Sequence, residues 1–346
     1  MKPRIKQLLN FLFIFGILAI VLIVGLSGNE FSDAWNALIS LSPQWVILCL
    51  ICWAVYMLLD ALCASYFLKK HGHPIPYGYS LLVALVGMYY CNITPGASGG
   101  QPMQIYYLKK RGVPVGIGSS CMTIKFFCYQ FILMVIGTVF WLFYPDFVAR
   151  QVGSHMWILI VGYICNIGSI TLVMAMALCK PAVRFVIRWC IRIGARLHIC
   201  KDPEASARKW EETLITFNDS VKMATRRPKE LLVQMAIAGV QILSLMLVVV
   251  CLYHAFGPSG HTLGQLITLG LMLYISAAYT PLPGASGAQE GVFALYFHSI
   301  FPEAKLLVAL LVWRFFTYYI SLIVGGVLSL QIGRIASKMP ENTKNM

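Results

Sequence analysis

Eight long apolar segments constrain the fold of this chain more than any other feature. Hydrophobic residues make up 59% of the chain and charged residues 12%, against about 25% charged residues in soluble domains. A helix needs about 20 apolar residues to cross a bilayer, and six segments reach or approach that length. The sequence therefore predicts an all-α, polytopic integral membrane protein. The eight segments are residues 8–26, 43–68, 77–93, 115–144, 155–179, 230–256, 262–281 and 305–330.

The distribution of lysine and arginine predicts the orientation of these segments. The formal net charge is +14, and basic residues cluster before residue 7, at 69–70, at 109–111 and throughout 180–228. Because cytoplasmic loops carry the excess of lysine and arginine, we expect all of these, and both termini, on the cytoplasmic side. Such a charge suits an anionic lipid leaflet, and no direct nucleic-acid partner is expected.

The motif Pro-Gly-Ala-Ser-Gly occurs twice, at residues 95–99 and 283–287. Ser98 and Ser286 are 188 positions apart (286 − 98). A second pair of similar stretches, KFFCYQFILMVIG from Lys125 and RFFTYYISLIVGG from Arg314, has an offset of 189 (314 − 125). Two matches at nearly one offset indicate that the halves of the chain are duplicates.

The predicted orientation makes this duplication an inverted repeat. Residues 77–108 enter and leave by the cytoplasmic face, whereas residues 262–301 enter and leave by the outer face. We therefore expect about six full spans and two re-entrant hairpins, an architecture shared by many secondary transporters. The predicted domains are a first membrane repeat at 1–179, a basic amphipathic linker at 180–228, and a second membrane repeat at 229–346.

The linker has its own pattern, with arginines at intervals of four. This spacing places them on one face of a helix whose other face is apolar, so the sequence predicts a surface helix on anionic lipid. The arginines are Arg184, Arg188, Arg192 and Arg196.

The composition of the two motifs suits a break in a membrane helix. Proline ends a helix and glycine permits unusual backbone angles, while irregular backbone at membrane depth must be buried in protein or line a wet cavity. The amides at the start of the returning half-helix favour anions. A purely structural turn is the alternative interpretation. The predicted loop residues are Pro95, Gly96, Gly99, Pro283, Gly284 and Gly287, and the adjacent substrate-binding candidates are Ser98, Gln101, Ser286 and Gln289.

Four charged residues lie within the apolar segments, where charge is expensive and usually functional. Asp60 and Lys125 are predicted at one depth, where they can pair. Glu290 and Arg314 are the corresponding residues of the second half. We expect all four to belong to a polar site for a charged lipid headgroup, with buried structural ion pairs as the alternative.

No enzymatic motif competes with this interpretation. Residues 96–100 match the G-x-S-x-G pattern of hydrolases, but that pattern requires a preceding strand together with histidine and acidic partners. Most of the eleven cysteines lie in apolar segments, where they pack as small hydrophobic side chains. We predict no catalytic residue, metal site or cofactor.

The two loops, the stretch PLPGASGAQEG and the stretch WRFFTYYISLIVGG resemble the flippase-like family of lysylphosphatidylglycerol synthase transmembrane regions. This is the membrane half of the bacterial multiple peptide resistance factor. The resemblance implies a multi-pass protein of the bacterial cell membrane that moves aminoacylated phosphatidylglycerol, or a related lipid, between leaflets. The full-length enzyme adds a soluble domain that transfers lysine to the lipid, and we expect that domain to be absent from this chain.

Three functions remain open from the sequence. The first is a lipid flippase whose partners are membrane phospholipids. The second is a membrane component of lysylphosphatidylglycerol synthesis, which contributes to resistance to cationic peptides and works with a separate soluble aminoacyltransferase. The third is a membrane scaffold. A homo-oligomer is compatible with each function.

Overall fold

The computed structural model describes residues 36–178, 222, 226–257 and 260–338, and these residues are predominantly helical. Within them no strand occurs beyond one isolated antiparallel bridge. A π-helical turn, Phe315–Tyr319, joins the last two helices. The helices are α1 (Pro43–Lys70), α2 (Tyr77–Ile93), α3 (Gly100–Lys110), α4 (Val115–Phe143), α5 (Pro145–Val152), α6 (Met156–Leu178), α7 (Pro228–Ala255), α8 (Leu263–Ala277), α9 (Ala288–Phe297), α10 (Glu303–Arg314) and α11 (Ile320–Lys338).

Five helical stretches in the described part are long and apolar enough to cross a membrane, and the chain is an all-α polytopic membrane protein, as predicted. These stretches are Pro43–Lys70, Val115–Phe143, Pro145–Ala175, Pro228–Ala255 and Lys305–Ile332. The predicted first span (8–26), most of the basic linker with its four arginines, and both chain ends lie outside the described residues.

The two predicted hairpins are each built from two short helices. Helix α2 has 17 residues and α3 has 11, while α8 has 15 and α9 has 10. At 1.5 Å per residue, α3 and α9 extend about 15–17 Å, which is about half of a hydrocarbon core. Both halves have the same order of helix, Pro-Gly-Ala-Ser-Gly loop and helix. This order arises because the proline ends the first helix of each pair.

Equivalent elements of the two halves pack antiparallel to each other. Along α1 and α7, Cys49 Sγ lies 3.7 Å from Val248 O, whereas Cys63 Sγ lies 2.6 Å from Gln234 Oε1. The residue numbers run in opposite directions along the two helices. This antiparallel contact between corresponding helices is the packing that an inverted repeat predicts.

Helix α7 is the most deeply buried of the five long stretches and packs against α1, α4, α8 and α10. In its most apolar window 61% of the residues are buried within the protein, against 17% for the stretch formed by α5 and α6. The exposed apolar residues on the outer helices, such as Leu142 and Phe143, are suited to contact with lipid. The hairpin loops therefore lie beside a helix that is shielded from the surrounding lipid.

Candidate functional site

The two Pro-Gly-Ala-Ser-Gly loops share an unusual backbone conformation at the glycine and alanine after the proline, and they differ at the last glycine, where φ is −84° at Gly99 and 86° at Gly287. Gly96 and Ala97 have φ values of 58° and 54°, and Gly284 and Ala285 have values of 60° and 51°. Alanine rarely adopts positive φ, and such residues cluster at functional sites. The hydrogen bonds also correspond, because the alanine and serine amides donate to the carbonyls three residues earlier in both loops.

The tips of the two hairpins meet. Pro95 and Pro283 pair in the isolated antiparallel bridge, which joins loops that are 188 positions apart (283 − 95). The Ser98 hydroxyl donates a hydrogen bond to the backbone carbonyl of Pro95 at 2.9 Å. It thereby gives a partner to a carbonyl of its own loop, as serine side chains do in turns. The bridge brings the first and second halves of the chain together at one place.

A cavity of about 250 Å³ lies at this meeting point. Its lining combines both loops, four aromatic side chains and one charged residue, Arg314. The loop residues are Gly96, Ala97, Gly284 and Ala285, and the aromatic residues are Trp53, Tyr56, Tyr274 and Tyr318. At about 30 Å³ for each water molecule, this volume suits a polar headgroup rather than lipid chains.

Arg314 is the charged group of the cavity wall, and its guanidinium is held by three acceptors of the second hairpin. Nε donates to Glu290 Oε1 at 2.6 Å, one terminal nitrogen donates to Gln289 Oε1 at 2.7 Å, and the other donates to Gly284 O at 3.1 Å. The guanidinium carries five N–H donors, so two of them are not used by these contacts. The Tyr318 ring stacks 4.7 Å from the guanidinium carbon.

Glu290 occupies the position at which an external anion was expected. Its Oε2 accepts the Gly287 amide at 2.7 Å, while its Oε1 accepts Arg314. The start of α9 is therefore neutralised by a carboxylate of the chain itself. The expectation that the amides of the second loop bind a substrate anion is wrong for Gly287, because Glu290 fills that position.

Lys125 and Asp60 form the second ion pair, as their predicted depth suggested. Lys125 Nζ lies 2.8 Å from Asp60 Oδ2, and the two side chains are only 16% and 13% exposed. Gln241 Nε2 donates to the other carboxylate oxygen at 3.2 Å. This pair links α1 and α4 of the first half, and Gln241 adds α7 of the second half.

The two ion pairs are equivalent in their basic residue but not in their acid. At an offset of 188, the position of Glu290 corresponds to Pro102 in the first half, so the acid there is supplied by Asp60 from α1. Arg314 is followed by the π-helical turn, whereas α4 stays α-helical through the corresponding residues. π-Turns within α-helices occur frequently at functional sites.

Of the eight substrate-binding candidates, Gln289 and Arg314 line the cavity. Ser98 and Gln101 are exposed at the first loop, Ser286 is buried, and Asp60, Lys125 and Glu290 are not among the described lining residues. Arg314 contacts its own loop through Gly284 O, whereas the described ion-pair partner of Lys125 is Asp60.

Sequence reasoning missed the aromatic side chains of the cavity. Tyr318 follows Arg314 by four residues and Tyr56 precedes Asp60 by four, so each shares a helix face with a charged residue. This four-residue spacing could have indicated that the aromatic side chains share a site with the charged residues.

The model of the family described as "Lysylphosphatidylglycerol synthase TM region" matches residues 7–325. The chain belongs to this family. A UPF0104 membrane protein of Archaeoglobus fulgidus is 22% identical over 317 residues, covering 84% of this chain and 85% of that protein. A UPF0104 membrane protein of Methanocaldococcus jannaschii is 28% identical over 149 residues, covering 42% of this chain and 40% of that protein. Membership of the lysylphosphatidylglycerol synthase TM region family supports a function connected with membrane lipids.

Proposed function

We propose that this protein moves a phospholipid between the leaflets of the membrane and holds the headgroup in the cavity at the hairpin tips. The observation that carries the proposal is the contact between the two loops, where Pro95 and Pro283 pair beside a 250 Å³ cavity. Inverted repeats place substrate sites at such junctions of broken helices near the membrane midplane.

The chemistry of the cavity suits a lipid headgroup. Arg314 has two N–H donors beyond the three that bond to described residues, and phosphate is a preferred partner of the guanidinium fork. Glu290 compensates the charge of Arg314, which limits the electrostatic cost of an arginine in this position. The headgroup phosphate would bind to Arg314 while the acyl chains stay in the surrounding lipid.

Purified protein in vesicles tests this proposal directly. Acyl-labelled fluorescent phosphatidylglycerol is distributed over both leaflets, and a membrane-impermeant quencher added outside reports how fast inner lipid becomes accessible. We expect faster exchange than in vesicles without protein. Exchange equal to that in protein-free vesicles would overturn the proposal.

A pair of variants separates transport through the cavity from disturbance of the bilayer. Ala278 is an exposed residue of the cavity lining with helical backbone, so Ala278→Phe fills part of the cavity. Ala149→Phe makes the same change at an exposed position of α5 that is not part of the lining. We expect Ala278→Phe to slow lipid exchange at least about five-fold and Ala149→Phe to leave it unchanged. Equal rates in both variants would place the lipid path elsewhere.

The family description supports a second candidate, a membrane component of lysylphosphatidylglycerol synthesis that acts with a separate soluble aminoacyltransferase. Lipid extracts of cells with and without this chain distinguish the two functions. Under the flippase proposal, the total amount of aminoacylated lipid is unchanged and only its distribution between leaflets shifts. Under the second candidate, the total amount falls.

A further inference from the structure

The Asp60–Lys125 pair adjoins the headgroup cavity without lining it, because Tyr56 and Cys91, which do line it, lie within electrostatic reach of the pair. Neither residue belongs to the described cavity lining. Asp60 precedes Lys69 by nine residues and Lys125 follows Val115 by ten, so both lie about 14–15 Å inside their helices. A separate buried pair at this depth requires an explanation other than headgroup binding.

The inverted repeat makes the chemical difference between the two pairs informative. Lys125 and Arg314 occupy equivalent positions, yet arginine remains protonated in proteins, whereas buried lysine and aspartate change protonation with their surroundings. In the Glu290–Arg314 pair beside the cavity, the basic residue therefore stays positively charged. The pair outside the described cavity lining has, in place of this planar guanidinium, a lysine ammonium on a flexible stem.

The contacts of Asp60 connect its charge to the relative position of three helices. Lys125 on α4 holds one carboxylate oxygen, and Gln241 on α7 holds the other. A movement of the first half against the second must change at least the Gln241 contact. The side chains are 13% and 16% exposed, so the pair is not sealed from its surroundings.

We propose that Asp60 is a proton-binding site that couples proton movement to lipid movement, an inference that rests on the proposed function. When α1 moves away from α4 and α7, the Asp60 carboxylate loses both partners, takes one proton from water at Oδ2 and becomes neutral. Lys125 keeps its three N–H protons throughout. When the helices return, Asp60 releases the proton to the other side and the ion pair re-forms.

Side-chain length decides which partner is neutralised. The four-carbon stem of lysine allows its ammonium group to reach towards water, so Lys125 can stay charged after separation. The short aspartate cannot do this, and an isolated carboxylate in an apolar environment takes up a proton instead. A metal cation is disfavoured at the same carboxylate because the Lys125 ammonium already occupies it.

Other titratable groups surround the pair from every neighbouring helix. Their side chains are thiols and phenols, which are neutral near pH 7 when buried, so Asp60 supplies the carboxylate of this described cluster. The groups within the electrostatic reach of Asp60 or Lys125 are Tyr56 and Cys63 on α1, Cys91 on α2, and Cys121 and Tyr129 on α4. Gln241 on α7 does not titrate.

The test uses the full chain in vesicles that contain a pH-sensitive dye and acyl-labelled phosphatidylglycerol. Lipid exchange and internal pH are recorded with and without an imposed pH difference of two units. In the wild type we expect the pH difference to change the exchange rate at least about three-fold, with dye-detected proton flux that depends on the protein. Exchange that is present but insensitive to the pH difference overturns the coupling alone. Exchange that is absent under every condition overturns the proposed function.

Variants then assign the effect to Asp60. Asp60→Asn should move lipid at a rate independent of the pH difference, without proton flux, whereas Asp60→Glu should retain both responses. Asp146→Asn, at an exposed position of α5, removes one carboxylate elsewhere and should behave as the wild type.

If Asp60→Asn does not fold because it strands the Lys125 charge, the double variant Asp60→Asn/Lys125→Gln removes both charges and answers the same question. A proton response that survives in either neutral variant would overturn the assignment.

Discussion

Asn92 and Tyr318 each donate a side-chain hydrogen bond to the backbone carbonyl of the other. Tyr318 Oη lies 3.2 Å from Asn92 O, and Asn92 Nδ2 lies 3.4 Å from Tyr318 O. The pair joins the first hairpin to the last span in the wall of the cavity. A third bond, from Trp53 Nε1 to Ser321 Oγ at 2.8 Å, joins the same span to α1.

These contacts between the halves are neutral, whereas both ion pairs lie within one half each. A neutral hydrogen bond contributes a net stabilisation of about 0.5–1.5 kcal/mol, while breaking a buried ion pair costs about 3–5 kcal/mol. If the halves move against each other, the Asn92–Tyr318 contact should open before either ion pair separates. Its donor–acceptor distances of 3.2 and 3.4 Å are longer than the 2.8 Å of the Trp53–Ser321 bond.

The first prediction concerns Tyr318→Phe. This change removes the hydroxyl that bonds to Asn92 O and keeps the ring beside Arg314. A loss of about 1 kcal/mol should raise the population with an open cavity about five-fold. Cys91 lines the cavity and is half-buried, so its labelling rate by a water-soluble maleimide should rise by the same factor.

Two controls accompany that measurement. Cys128 is fully buried in another part of the bundle and should label at an unchanged rate. Tyr319→Phe makes the same chemical change one residue later, at a position outside the cavity lining. Equal acceleration of Cys91 labelling by both tyrosine variants would contradict a specific role of the Asn92–Tyr318 contact.

The second prediction concerns the close approach of α2 and α11 at Gly325. A Cβ atom there would lie 2.4 Å from Leu85 O and 2.8 Å from Tyr89 Cβ, and the first of these is backbone that cannot easily move. Gly325→Ala should therefore destabilise the protein by about 1–3 kcal/mol, as overpacking does. The apparent thermal unfolding midpoint in detergent should fall.

Gly168→Ala is the matched control for Gly325→Ala. A Cβ at Gly168 meets no heavy atom within 4 Å, and the residue lies inside α6. Alanine favours helix over glycine by about 0.5–1 kcal/mol, so the midpoint should stay the same or rise. A decrease of similar size in both variants would show that the α2–α11 contact is not the cause.

The third prediction concerns membrane sidedness. From the clusters of basic residues we expect the loop after α3 in the cytoplasm and the region of α5 outside. In cells, Lys110→Cys should react with an impermeant thiol reagent only after the membrane is opened, whereas Arg150→Cys should react from outside. Labelling of Lys110→Cys from outside alone would mean that residues 77–93 cross the membrane completely, and that the first hairpin is not re-entrant.

The sequence by itself predicted the all-α membrane fold, the two broken helices and the pairing of Asp60 with Lys125 and of Glu290 with Arg314. Each of these depends on information that is local or periodic along the chain: apolar length, helix-breaking residues, the depth of a charge within a span and the repeat offset. The family resemblance read from the two loops is likewise confirmed.

Only the tertiary structure decided which side chains line the cavity. The direction of a side chain depends on how its helix is rotated against its neighbours, and hydropathy does not determine that rotation within a span that is apolar on all sides. For this reason Arg314 belongs to the described cavity lining and Lys125 does not, although the two are equivalent in the repeat. Glu290 caps the start of α9 because the turn at Gly287 brings that amide to its carboxylate, a contact that exists only once the loop has folded.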